Sequence, residues 1–78
     1  MKNYYFFYEK QRDGVLKITK GMKNKEAWTR YHEVIADPPS GLDFCGWASE
    51  QDGAKLLYLI EEGKKVVVTD NRPKERMK

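Results

Sequence analysis

The chain is poor in the residues from which small domains usually build staples and active sites: it has one cysteine, Cys45, and one histidine, His32, among 78 residues. A single cysteine excludes an intrachain disulfide, and a structural zinc normally takes two or more of its four ligands from Cys and His. No metal, no cofactor and no disulfide framework is therefore expected. The glycines are too scattered for a phosphate loop. Gly41, Gly46, Gly53 and Gly63 form neither Gly-x-Gly-x-x-Gly nor Gly-x-x-x-x-Gly-Lys-Ser/Thr. Nothing resembles a leader either, because the apolar start, Tyr4 to Tyr8, meets Glu9 and Lys10 at once. That run is also far short of the roughly 20 residues that span a bilayer, so the expectation is a cytoplasmic protein outside the membrane.

The net charge of +3 is equally uninformative about the body of the chain. Residues 1–70 carry as many acidic as basic side chains, and the excess lies in Arg72, Lys74, Arg76 and Lys78 against Glu75. The body is nonetheless polarised along its length. Basic residues dominate up to Arg30, whereas Lys55 is the only one between positions 31 and 63.

What the chain does have is a strong pattern of local structure. Residues 3–9 are aromatic, and 14–20 are β-branched and partly alternating, with Asp13-Gly14 between them. Asp-Gly between two such runs predicts a hairpin, since glycine accepts the positive φ that tight turns need. From Asn24 the apolar period lengthens. Ala27, Trp28, Tyr31, Val34 and Ile35 predict an amphipathic helix over 24–36, with Asn24 as N-cap and Trp28, Tyr31 and Ile35 pointing into the core. Pro38 and Pro39 stop it by removing backbone donors and pushing Asp37 out of the helical region.

Residues 42–48 read as a strand apolar on both faces, holding a core Trp47, and Val66-Val67-Val68-Thr69 reads as a strand of buried type. The segment 49–62 between them has two readings. In the first it is a helix capped by Ser49 and Gly63, with Leu56, Leu57, Leu59 and Ile60 on one face and a right-handed crossover between parallel strands. In the second, Gln51-Asp52-Gly53 and Glu61-Glu62-Gly63 are turns around a hairpin strand. The fold class is α+β: a small two-layer sandwich with a mixed sheet of about four strands in the order β-β-α-β-α-β. Residues 1–70 form one domain. Residues 71–78, basic and containing Pro73, are expected to be a tail without the apolar content to order itself.

Candidate chemistry is sparse. His32 and Cys45, with Asp43 nearby, are the one possible thiol-protease-like set, and they carry no local signature. The acids Glu50, Asp52, Glu61 and Glu62 read as solvated side chains. No catalytic residue is assigned, and the chain is not expected to be an enzyme. The aromatic first strand is its most unusual feature. Exposed tyrosines on a sheet anchor protein interfaces or stack nucleobases. The expected function is a small non-catalytic binding module for a protein partner, with contacts from Tyr4, Tyr5, Tyr8, Lys10 and Arg12, and with self-association through the same strand. The alternative is nucleic-acid binding by the basic hairpin and by Arg72, Lys74, Arg76 and Lys78.

Overall fold

A computed structural model of the chain describes residues 4–71. Six elements follow in the expected order: β1 (Tyr5–Gln11), β2 (Val15–Met22), α1 (Asn24–Ala36), β3 (Leu42–Ser49), α2 (Gly53–Glu62) and β4 (Lys65–Asp70). The fold is α+β, and the strands form one mixed four-stranded sheet in the spatial order β3-β1-β2-β4. β1 runs antiparallel to both of its neighbours, while β4 adds to β2 in parallel.

The hairpin closes where Asp13-Gly14 predicts it. Gly14 adopts φ +100 and donates its N–H to the Gln11 carbonyl at 3.0 Å, while the Asp13 carboxylate accepts from the Val15 N–H at 3.0 Å. One extra residue on β2, between Met22 and Thr19, shifts the register beside Tyr5 and Phe7. The Glu50 carboxylate, from the far side of the sheet, accepts the Gly21 N–H at that irregularity.

Strand alternation sends Phe6 and Phe7 to opposite faces, and neither has any accessible surface. Each face has its own helix. Phe7 and Met22 pack with Ala27 and Val34 of α1, while Phe6, Tyr8, Leu16 and Ile18 pack with Leu59 of α2. The sequence expectation of two layers thus becomes three, with the sheet between the helices. Strand order explains it. Both crossovers join parallel strands, but β2 to β3 runs one way across the sheet and β3 to β4 runs the other. The right-handed rule then places the two helices on opposite faces.

α1 has the expected bounds but a different inward stripe. It packs on β1 and β3 through Ala27, Tyr31 and Val34, at the i, i+4, i+7 positions of one face. Trp28 and Ile35 lie about 100° round the helix from that line and are 53% and 47% exposed, so the expected core positions for both are corrected. The cap also moves. Lys23 occupies the N-cap position, and the Glu26 carboxylate accepts its N–H at 3.1 Å.

The segment 49–62 takes the helical reading, beginning later than Ser49. Ser49 remains in β3, paired with Tyr5, and its hydroxyl accepts the Gln51 N–H; Asp52 is the N-cap and accepts the Lys55 N–H at 3.3 Å. Gly63 ends the helix as predicted. The buried character expected for β4 does not hold: Val66 is half-buried, whereas Val67 and Val68 are exposed, because β4 is an edge strand that α2 leaves partly uncovered.

Candidate functional site

The aromatic strand is not a free surface. β1 lies between β2 and β3, so both of its edges are hydrogen-bonded and its rings supply the core of both faces. Of the five residues expected to touch a partner, Tyr8 is buried. Tyr4, Tyr5 and Lys10 are half-buried, Tyr5 with its ring 5.5 Å from that of Trp47, and only Arg12, in the hairpin turn, is exposed. Self-association through an uncovered β1 is excluded by that central position. The expected nucleic-acid contacts Arg72, Lys74, Arg76 and Lys78 lie outside the described residues.

The surface that remains accessible is built around α2. Five consecutive apolar residues, Leu56-Leu57-Tyr58-Leu59-Ile60, cannot all face one sheet from a helix with 3.6 residues per turn. Leu59 is buried and Leu56 half-buried against Phe6, Leu16 and Ile18, whereas Leu57, Tyr58 and Ile60 are exposed. Helical spacing puts Lys55 on one flank of the inward line and Leu57 with Ile60 on the other. The Lys55 ammonium lies 5.4 Å from the centre of the Tyr8 ring, which assigns its flank to the β1 side of the sheet. Leu57 and Ile60 therefore border the β4 side, where Val68, on the same face as the half-buried Val66, is 51% exposed. Together these side chains make an apolar strip along the sheet edge.

On the other flank the same face carries rings and cations. Phe44, 45% exposed, meets Tyr8 edge-on at 6.3 Å, and the Lys10 ammonium lies 5.7 Å from its ring centre. Along Lys10, Phe44, Tyr8 and Lys55 a cation stands at each end over the ring next to it, and the two rings are adjacent in the middle.

The remaining chemistry-bearing groups are separate from both strips. His32 is exposed on α1, its ring 4.3 Å from Trp28 and 5.5 Å from Tyr31. Cys45 is half-buried on β3, opposite Glu9. Burial, and then the negative charge of Glu9, raise its pKa above the ordinary thiol value, so thiolate is scarce at neutral pH. An open groove of about 560 Å³ follows α1 beside Met22 and Asn71, but Lys23, Lys25 and Arg30 share its lining with Glu26 and Glu33, so charge of both signs is present there. Among the described residues no three His, Cys, Asp or Glu side chains are grouped to hold a metal ion, and no helix is long and apolar enough to cross a membrane.

Comparison with protein-family models, with curated proteins and with solved structures finds no match for this chain. Its functional reading rests on the residues alone. The signal for the α2 strip was present in the sequence as that unbroken apolar run. The exposure of Val67 and Val68 had no such signal, because it depends on which strand ends the sheet.

Proposed function

We propose that this protein is a small non-catalytic binding module whose partner is another protein chain, engaged at the β4 edge and the neighbouring flank of α2. The observation that carries this reading is the apolar strip of Leu57, Ile60 and Val68 beside an edge strand. Exposed apolar surface of this kind, next to the outermost strand of the sheet, suits a partner that adds a strand to the sheet and inserts alternate side chains against the helix. The test is selection of peptides from a random display library on the immobilised protein. Binders should lose affinity roughly tenfold or more against Val68→Glu and Ile60→Glu, as for removal of an interface anchor. Binders indifferent to both changes count against the reading.

A second reading is favoured by the flank that carries Phe44. An exposed ring with the Lys10 ammonium over it, beside Tyr8 and the Lys55 ammonium that covers Tyr8, has the chemistry of a stacking platform for a single-stranded nucleic acid. It predicts oligonucleotide binding that weakens with salt and is reduced by Phe44→Ala. The apolar strip exposes three aliphatic side chains where the other flank exposes one ring, and for that reason protein binding stands first.

A further inference from the structure

β4 is the outermost strand of the sheet beyond β2, and its pairing runs without interruption from Val15 with Lys65 to Lys20 with Asp70. A parallel ladder uses the inward-facing backbone groups of such a strand and leaves those of alternate residues facing outward. The opposite edge, β3, is blunted. It carries the exposed Asp43, and its ladder with β1 is irregular between Lys10 and Gln11. β4 has a regular ladder, its exposed charges Lys65 and Asp70 stand at its two ends, and Val67 and Val68 between them are 42% and 51% exposed.

We infer that the partner at this edge is a second copy of the chain, with two β4 strands pairing antiparallel about a two-fold axis at Val67 to make one continuous sheet. The inference rests on the protein-binding reading and names its partner. An axis perpendicular to the sheet keeps each face continuous across the junction, so residues can oppose only residues of the same face. Permitted registers are therefore centred on a residue. Centring on Val67 sets Val66 against the partner's Val68, Lys65 against the partner's Thr69 and Lys64 against the partner's Asp70. Centring on Val66 instead would set Lys64 and Lys65 against valines, and centring on Val68 would set Val66 against a carboxylate. Of the three, only the Val67 register sets valine against valine and Lys64 against Asp70, with Lys65 meeting the neutral hydroxyl of Thr69.

The same register brings the helices together. Val66 lies on the α2 face, so the Val66 and Val68 side chains of both copies line one floor, bordered on each side by Leu57 and Ile60. A domain of 78 residues buries a modest share of its surface, and this junction hides the apolar side chains that the single copy leaves in water.

The test is sedimentation of the full chain across the micromolar range. The expected result is a concentration-dependent dimer, weakened roughly tenfold or more by Val67→Lys, which sets two like charges against each other at the axis. Asp70→Lys should weaken it as well, and Lys64→Asp added to Asp70→Lys should restore it. Circular dichroism of each variant separates lost pairing from lost folding. Independently, Val67→Cys with Cys45→Ser should form a covalent dimer on mild oxidation, because opposed residues at a two-fold lie within disulfide reach. A wild-type chain that stays monomeric, or a dimer indifferent to Val67→Lys and without the cross-link in the Val67→Cys variant, overturns the inference. If display-selected peptides still depend on Val68 in that event, protein binding survives with a different partner; if they do not, both readings fall.

Discussion

The ring of Tyr8 lies directly over Gly46, its cross-strand partner on β3, so that a β-carbon at position 46 would collide with the phenol. The ring cannot simply swing aside, because Phe6 lies 6.0 Å from it, Phe44 meets it edge-on and Lys55 covers its face. Gly46 is the one residue of β3 that is fully buried, and an aromatic side chain takes the place of its missing one. Gly46→Ala should cost about 1 to 3 kcal/mol by overpacking. Equilibrium urea unfolding measures it. In a Tyr8→Leu background the same substitution should cost clearly less, and equal costs in both backgrounds would mean that the contact is not the cause.

The exposure of Trp28 leads to an unusual ranking of aromatic substitutions. Trp28→Ala removes a ring that is 53% exposed and touches mainly His32, so its cost should stay below about 1 kcal/mol. Phe7→Ala empties a site with no accessible surface and should cost about 3 to 5 kcal/mol, as should Phe6→Ala on the opposite face. Thermal melts of the three variants check the order. A Trp28→Ala variant that melts far below the parent would place α1 in a different rotation about its axis.

The hairpin turn depends on the handedness of one residue. Gly14 at φ +100 is also packed against the Lys64 side chain, with its carbonyl accepting the Lys64 N–H at 3.0 Å. Gly14→Ala should destabilise by about 1 to 2 kcal/mol from backbone strain. Denaturant unfolding gives the magnitude, and an unchanged midpoint would show that the turn can relax without loss.

Cys45 should behave as a slow thiol. Its pKa is raised by burial and then by Glu9, so alkylation at neutral pH should be slower in the folded protein than in urea, with the rate rising at a higher pH. Glu9→Gln should move that rise back toward the ordinary thiol range. The linked effect on stability has a definite sign. A raised folded-state pKa stabilises the fold fully below the thiol's unfolded pKa, and the contribution disappears as pH climbs through the folded value. Fast, pH-independent labelling of the folded protein would contradict this placement.

Much of the local structure was legible in the order of residues because the relevant forces are local. Asp13-Gly14 sets a hairpin through backbone sterics, Pro38 and Pro39 stop α1 by removing donors, and Gly63 ends α2. Periodicity also separated helix from strand, apart from 49–62, where Gly53 and the turn-forming residues at both ends left a hairpin strand open. There the expected single face of Leu56, Leu57, Leu59 and Ile60 is corrected by the exposure of Leu57 and Ile60. What periodicity could not supply was the neighbour of each strand. An aromatic β1 reads the same at a sheet edge as in its middle, and only pairing with both β2 and β3 turns Phe6, Phe7 and Tyr8 into two cores instead of a binding face. The same long-range pairing leaves Val67 and Val68 at an edge, although three consecutive valines would suit a central strand equally well. The sequence by itself determined where the chain bends and which segments coil or extend, since steric limits and caps act over a few residues. Tertiary structure alone decided which apolar side chains meet water, because strand order is settled by contacts between residues far apart in the chain.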